Sequence, residues 1–170
     1  MARHPRSRIG KAPSTLQRQG IPIASTMVAS MMPLLPIVSA SPAMPPWGLL
    51  LLLGWRMLHR NIWPAWLGFP LGLWDDMFSG QPLGSSIVLW TLTLMGLDML
   101  DKRMVWREFN EEWGLAAVMI AAALILGLII ANLTGGDTDA VIILPQIAIS
   151  VLAFPMVARA CAVFDAWRLR

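Results

Sequence analysis

The stretch GLWDDMFSGQPLG, residues 72 to 84, places two adjacent carboxylates, Asp75 and Asp76, between an apolar run and a turn built on Gly80, Pro82 and Gly84. Ionised side chains are costly in hydrocarbon, so a carboxylate pair beside such a run invites a reading as a proton or ion site. Adjacent helical residues point about 100° apart, and the two therefore cannot both face one target. Two other readings stand beside ion handling. The pair can be interfacial and water-solvated, or one carboxylate can lock the following turn, whose glycines permit positive φ and close backbone approach. At the C-terminal end of a helix the macrodipole opposes a carboxylate by about 0.3 to 1 kcal/mol. Water, turn N–H groups or a partner must offset that cost.

Nothing else in the chain has the pattern of a catalytic or metal centre. There is no HExxH, no GxSxG and no Ser, His and Asp grouping near a common segment, and the Gly80–Gly84 turn lacks the lysine of a nucleotide loop. His4 and His59 are far apart, each beside basic residues, and Cys161 is the sole cysteine, which excludes an intramolecular disulfide and reads as an apolar filler. We therefore expect neither enzymatic activity nor a cofactor. A second candidate surface is DKRMVWREFNEEW, residues 101 to 113, where Trp106, Phe109 and Trp113 follow at spacings of three and four and share one helical face. That face reads as an amphipathic connector at the membrane surface or as a docking face for a cytoplasmic partner.

The elements that must position these residues follow from composition. Of 170 residues, 56% are hydrophobic and 14% charged, with a mean hydropathy of +0.62; a soluble domain carries about 25% charged residues. Charge is absent from residues 19–55, 77–97, 113–136 and 140–158, and an α-helix needs about 20 residues to cross about 30 Å of hydrocarbon. Period-two alternation is absent, so an all-α bundle is expected and not a β-barrel. The first run is divided by Pro42, Pro45 and Pro46. The resulting expectation is a basic tail at 1–19, six spans at about 20–40, 46–59, 62–79, 82–100, 113–133 and 139–164 within a membrane domain of 20–165, a connector at 101–112 and a short tail at 166–170. All thirteen Lys and Arg residues fall on one side of that arrangement, which places both termini in the cytoplasm. The basic tail and the apolar run after it also resemble a signal peptide, but the tail is long for one and Pro33 and Pro36 interrupt the run. Trp47, Trp63, Trp74, Trp106, Trp113 and Trp167 lie near expected span ends, where indoles anchor, whereas Trp90 falls mid-span and needs a partner for its N–H.

These residues resemble the rod shape-determining MreD family. The resemblance rests on Gly72, Asp76, Gly80, Leu83 and Gly84 at the end of the third span, on SSIVLW opening the fourth, on PAMPPWGLLLLLGW around the second, and on NIWPAW opening the third. It covers about residues 20 to 133, and Asp75 beside Asp76 departs from the usual single Asp. The resemblance implies a non-enzymatic, multi-pass subunit of the bacterial cytoplasmic membrane, working in cell elongation with the bitopic protein MreC, the MreB filament, a RodA-type glycosyltransferase and a class B penicillin-binding transpeptidase. It implies a fold similar to the membrane-embedded substrate-binding subunits of energy-coupling-factor transporters. Gly72, Asp75, Asp76, Gly80, Pro82 and Gly84 then form a structural or partner-binding motif, and Asp76→Ala is expected to loosen the MreC-like partner without unfolding the bundle. The alternative from another class is a vitamin-binding transporter subunit, against which the very short outer loops speak.

Overall fold

A computed structural model describes residues 15–34, 44–60, 62–102, 109–137 and 139–168. The described residues form six α-helices and no strand: α1 (Thr15–Ser30), α2 (Trp47–Leu58), α3 (Gly68–Ser79), α4 (Ser85–Asp101), α5 (Phe109–Leu133) and α6 (Ile143–Arg168). Short 3-10 turns at Met32–Leu34, Ala65–Leu67 and Ala140–Ile142 follow α1 and precede α3 and α6.

Among the described residues, only α5 and α6 are both long and apolar enough to cross a membrane, over Glu111–Leu133 and Ile143–Trp167. By contrast α2 and α3 have 12 residues each, which rise about 18 Å. The helix at the first expected span begins earlier, at Thr15, and ends at Ser30, ahead of Pro33, which disfavours helix at the residue before it. Residues 35–43 and the greater part of the expected connector, 103–108, lie outside the described residues.

The centre of the bundle is α2. Its Leu-rich sequence has no polar face between Gly48 and Trp55, and a helix apolar all round is stable only when surrounded. Leu50, Leu52, Leu53 and Trp55 are fully buried, packed by α1 on one side and α6 on another, with Gly54 set against Cys161 and Val157 of α6. The Trp55 indole N–H donates to Ser25 Oγ of α1 at 2.9 Å, so the one polar atom this stretch offers is satisfied inside the core.

Helices α3 and α4 pack closely at two glycines of α3. A Cβ on Gly72 would lie 2.6 Å from Ile87 Cα and 2.6 Å from Ser86 O, and one on Gly68 would lie 2.7 Å from Thr91 Cα. These neighbours are backbone atoms, which cannot rotate aside. Gly72→Ala is therefore expected to cost about 2 kcal/mol by forcing the helices apart, read as a lower midpoint in thermal unfolding of the purified chain in detergent. An unchanged midpoint would show that the pair tolerates a wider separation.

The tryptophans differ in exposure, and Trp90, expected mid-span, is buried together with Trp63, expected at a span end. Trp167 is 72% exposed, but Trp63 is 2% exposed and Trp90 3%, so both are core residues.

Candidate functional site: the carboxylate corner of α3 and α4

The chain leaves α3 through Gly80 at φ 68° and enters α4 through Gly84 at φ 99°. Both values lie in the left-handed region that glycine adopts without the Cβ penalty of other residues. The resulting corner is short enough to bring the last turn of α3 against the first turn of α4.

Asp76, 4% exposed, reaches across this corner. Its Oδ2 accepts the Gly84 N–H at 2.8 Å, and its Oδ1 accepts the Ser86 N–H at 2.8 Å and the Ser85 hydroxyl at 3.2 Å. The first N–H groups of a helix have no partner within it, and α4 has no side-chain cap from its own N-cap residue, Gly84. Asp76 supplies that cap from the preceding helix. Its negative charge also sits at the positive end of the α4 macrodipole, which reverses the unfavourable sign expected from its place near the end of α3.

Asp75 points to a different set of groups, as the 100° offset requires. Its Oδ2 accepts the Ser86 hydroxyl at 2.9 Å, and the Ser30 hydroxyl at the end of α1 also faces the carboxylate. Gly48 of α2 closes the space. A Cβ there would collide with Ser30 Oγ and would lie 3.0 Å from Asp75 Oδ1 and 3.1 Å from Trp90 Cη2. Four helices thus meet around the two carboxylates. Trp74 adds a strap, donating its N–H to Met27 O of α1 at 3.2 Å.

Chemically the corner is a set of satisfied acceptors. Asp76 has both oxygens engaged by three donors, and Asp75 accepts from the Ser86 hydroxyl, so each carboxylate is tied to a neighbouring helix. No group of three or more His, Cys, Asp or Glu among the described residues is placed to hold a metal ion. Gly72 and Gly80 shape the corner and Pro82 lies in its turn, where its carbonyl accepts the Ser85 N–H at 3.0 Å. Of the second candidate face, Trp106 lies outside the described residues, and Phe109 opens α5 with its side chain outside them. Trp113, 40% exposed, donates its N–H to Val151 O of α6 at 3.2 Å.

The opposite end of α4 holds a charge cluster that sequence reasoning missed. Arg56 of α2, 4% exposed, directs its Nη2 at Asp98 Oδ1 (2.6 Å) and at Asp101 Oδ2 (2.8 Å). The signal was present: Asp98 and Asp101 are three residues apart, on one face at the end of an apolar helix, and Arg56 ends a charge-free run. Nearby, His59 Nε2 lies 3.0 Å from Asp165 Oδ2 of α6. Helix α4 is thus held at its N-terminus by a carboxylate from α3 and at its C-terminus by a guanidinium from α2, each of the sign its macrodipole favours.

The model of one family, rod shape-determining protein MreD, matches residues 20–159, a stretch that contains both ends of α4 and most of α6. No curated protein and no solved structure matches the chain significantly. With that family match spanning most of its length, and with apolar helices suited to a membrane, this chain belongs to the rod shape-determining MreD family.

Proposed function

We propose that the chain is a non-catalytic, multi-pass subunit of the bacterial cytoplasmic membrane with both termini cytoplasmic, and that it binds an MreC-like bitopic protein in the cell-elongation complex. In this reading it helps organise peptidoglycan synthesis with an MreB-like filament, a RodA-type glycosyltransferase and a class B penicillin-binding transpeptidase. The observation that carries it is the family match over 20–159. The corner is consistent with a scaffold, because its carboxylates are spent on holding helices together. The placement of Lys and Arg supports the orientation, which sets the α3–α4 corner on the outer face.

At that corner Leu83, 80% exposed, lies in the turn, and Met77, 65% exposed, lies in the last part of α3. The reading assigns this apolar tip to the MreC-like partner. Leu83→Arg is expected to reduce copurification of that partner about tenfold, the effect of losing one buried anchor, while thermal unfolding of the variant matches the parent. Undiminished copurification would remove the tip from the interface. The reading as a whole is tested by depleting the protein in its host and measuring cell width beside uptake of labelled vitamins. Wider or rounded cells with normal uptake support it; normal width with lost uptake would favour a transporter subunit.

A further inference from the structure

Helices α3 and α4 present two rows of exposed apolar side chains. On α3 and the turn before it, Trp66, Phe69, Leu73 and Met77 follow at helical spacing and are 42% to 67% exposed. On α4, Val88, Leu92, Met95 and Met99 repeat the pattern at 45% to 65% exposed. Rows of this kind suit contact with hydrocarbon and not with water.

This face is short, because polar groups close it at both ends. At the corner, Gln81 is exposed and Asp76 holds the first turn of α4. At the other end, Asp98 is 38% exposed beside Arg56, and Lys102 is exposed. Between Ser86 and Asp98, α4 rises about 18 Å, and α3 over its 12 residues rises about 18 Å too. The opposite side of the bundle is taller. Helix α5 is free of charge from Trp113 to Leu133, about 30 Å, with Val118, Ile125 and Leu133 exposed. Helix α6 and the turn before it carry no charge over 140–158, about 28 Å.

We infer that the α3–α4 face is a lipid-contact surface that thins the bilayer beside it, by about 12 Å relative to the α5–α6 side. The inference rests on the multi-pass arrangement proposed above, with α3 and α4 embedded. A hydrocarbon layer about 30 Å thick fits α5 and α6. At α4 the same layer would submerge the corner, the Asp98 end, or part of each. Ionised groups are costly in hydrocarbon, so both ends are held at the water boundaries and the lipid adapts. Tilting these helices would shorten the face further, which leaves thinning as the response available to a single copy.

The test measures depth directly, with the full chain in dioleoylphosphatidylcholine nanodiscs at one copy per disc. Cys161 is the sole cysteine and is fully buried, so Leu83→Cys, Leu73→Cys, Leu92→Cys and Met99→Cys each take one nitroxide label at an exposed position. Relative collision rates with oxygen and with a water-soluble nickel chelate give the depth of each label below the hydrocarbon boundary. The labels at 73 and 92 are expected in hydrocarbon. Those at 83 and 99, at opposite ends of the face, are both expected within about 3 Å of a boundary. A combined depth of about 12 Å for those two ends, with 73 and 92 immersed, would overturn the thinning alone. Labels at 73 and 92 that report water would overturn the embedding of α3 and α4, and the inference with it. No readout here depends on cell width or on the MreC-like partner, so the surface and the scaffold reading can fail separately.

Discussion

Asp76→Ala is expected to lower the stability of the bundle by about 3 kcal/mol, measured as thermal unfolding of the purified protein in detergent. The magnitude follows from what the alanine leaves behind. The N–H groups of Gly84 and Ser86 lose their acceptor in a buried corner, at about 1 to 3 kcal/mol for each stranded donor. The Ser85 hydroxyl is not stranded, because Gln81 Oε1 lies 3.3 Å away as a second acceptor. Asp76→Asn should recover less than half of the loss. An amide keeps one oxygen but turns an NH2 toward a second N–H donor. Asp75→Asn is the comparison: its amide can still accept from Ser86 Oγ and can donate to Ser30 Oγ, so about 1 kcal/mol is expected. If Asp75→Asn proves the more damaging of the two Asn variants, the cap has been assigned to the wrong carboxylate. Loss of partner binding in Asp76→Ala, expected without unfolding of the bundle, would follow from the loosened corner.

The second large effect is expected at the other end of α4. Arg56→Met should also cost about 3 kcal/mol, the low end of the range for breaking a buried ion pair. The low end applies because Asp98 is 38% exposed and water screens part of its charge, whereas Asp101 is 16% exposed. Removing the guanidinium leaves two carboxylates facing each other at the negative end of a helix, and that repulsion is the main part of the cost. Combining Arg56→Met with Asp98→Asn and Asp101→Asn should therefore restore most of the stability, since a fully neutral set has little to desolvate. Arg56→Lys should lie between, because both contacts come from one nitrogen and one ammonium can make them. A triple variant no more stable than Arg56→Met would place the loss in packing of the Arg56 stem and not in charge. Thermal unfolding in detergent reads all three.

Several levels of this molecule were legible in residue order. Charge-free runs and the absence of alternation determine an all-helical, membrane-suited chain, because helix is the structure that satisfies each backbone group locally in hydrocarbon. Pro42, Pro45 and Pro46 divide the first charge-free run, and α1 and α2 lie on either side of that division. Gly80 and Gly84 could be read as a turn able to approach a carboxylate, since positive φ is a local property of glycine.

Folding in three dimensions decided the rest. Whether Asp75 or Asp76 would cap a helix depended on a corner geometry that turns one carboxylate toward the N-terminus of α4 and the other toward α1 and α2. The sign of the dipole acting on Asp76 depended on the neighbouring helix, not on its own. In residue order Arg56 only ends a charge-free run, yet it is buried against Asp98 and Asp101, 42 and 45 residues away. Charge pairing across helices is set by which ends of which helices meet. Residue order determines which segments are helical and apolar; only their packing determines which polar side chains find one another inside, because a buried charge takes its partner from whatever element lies within reach.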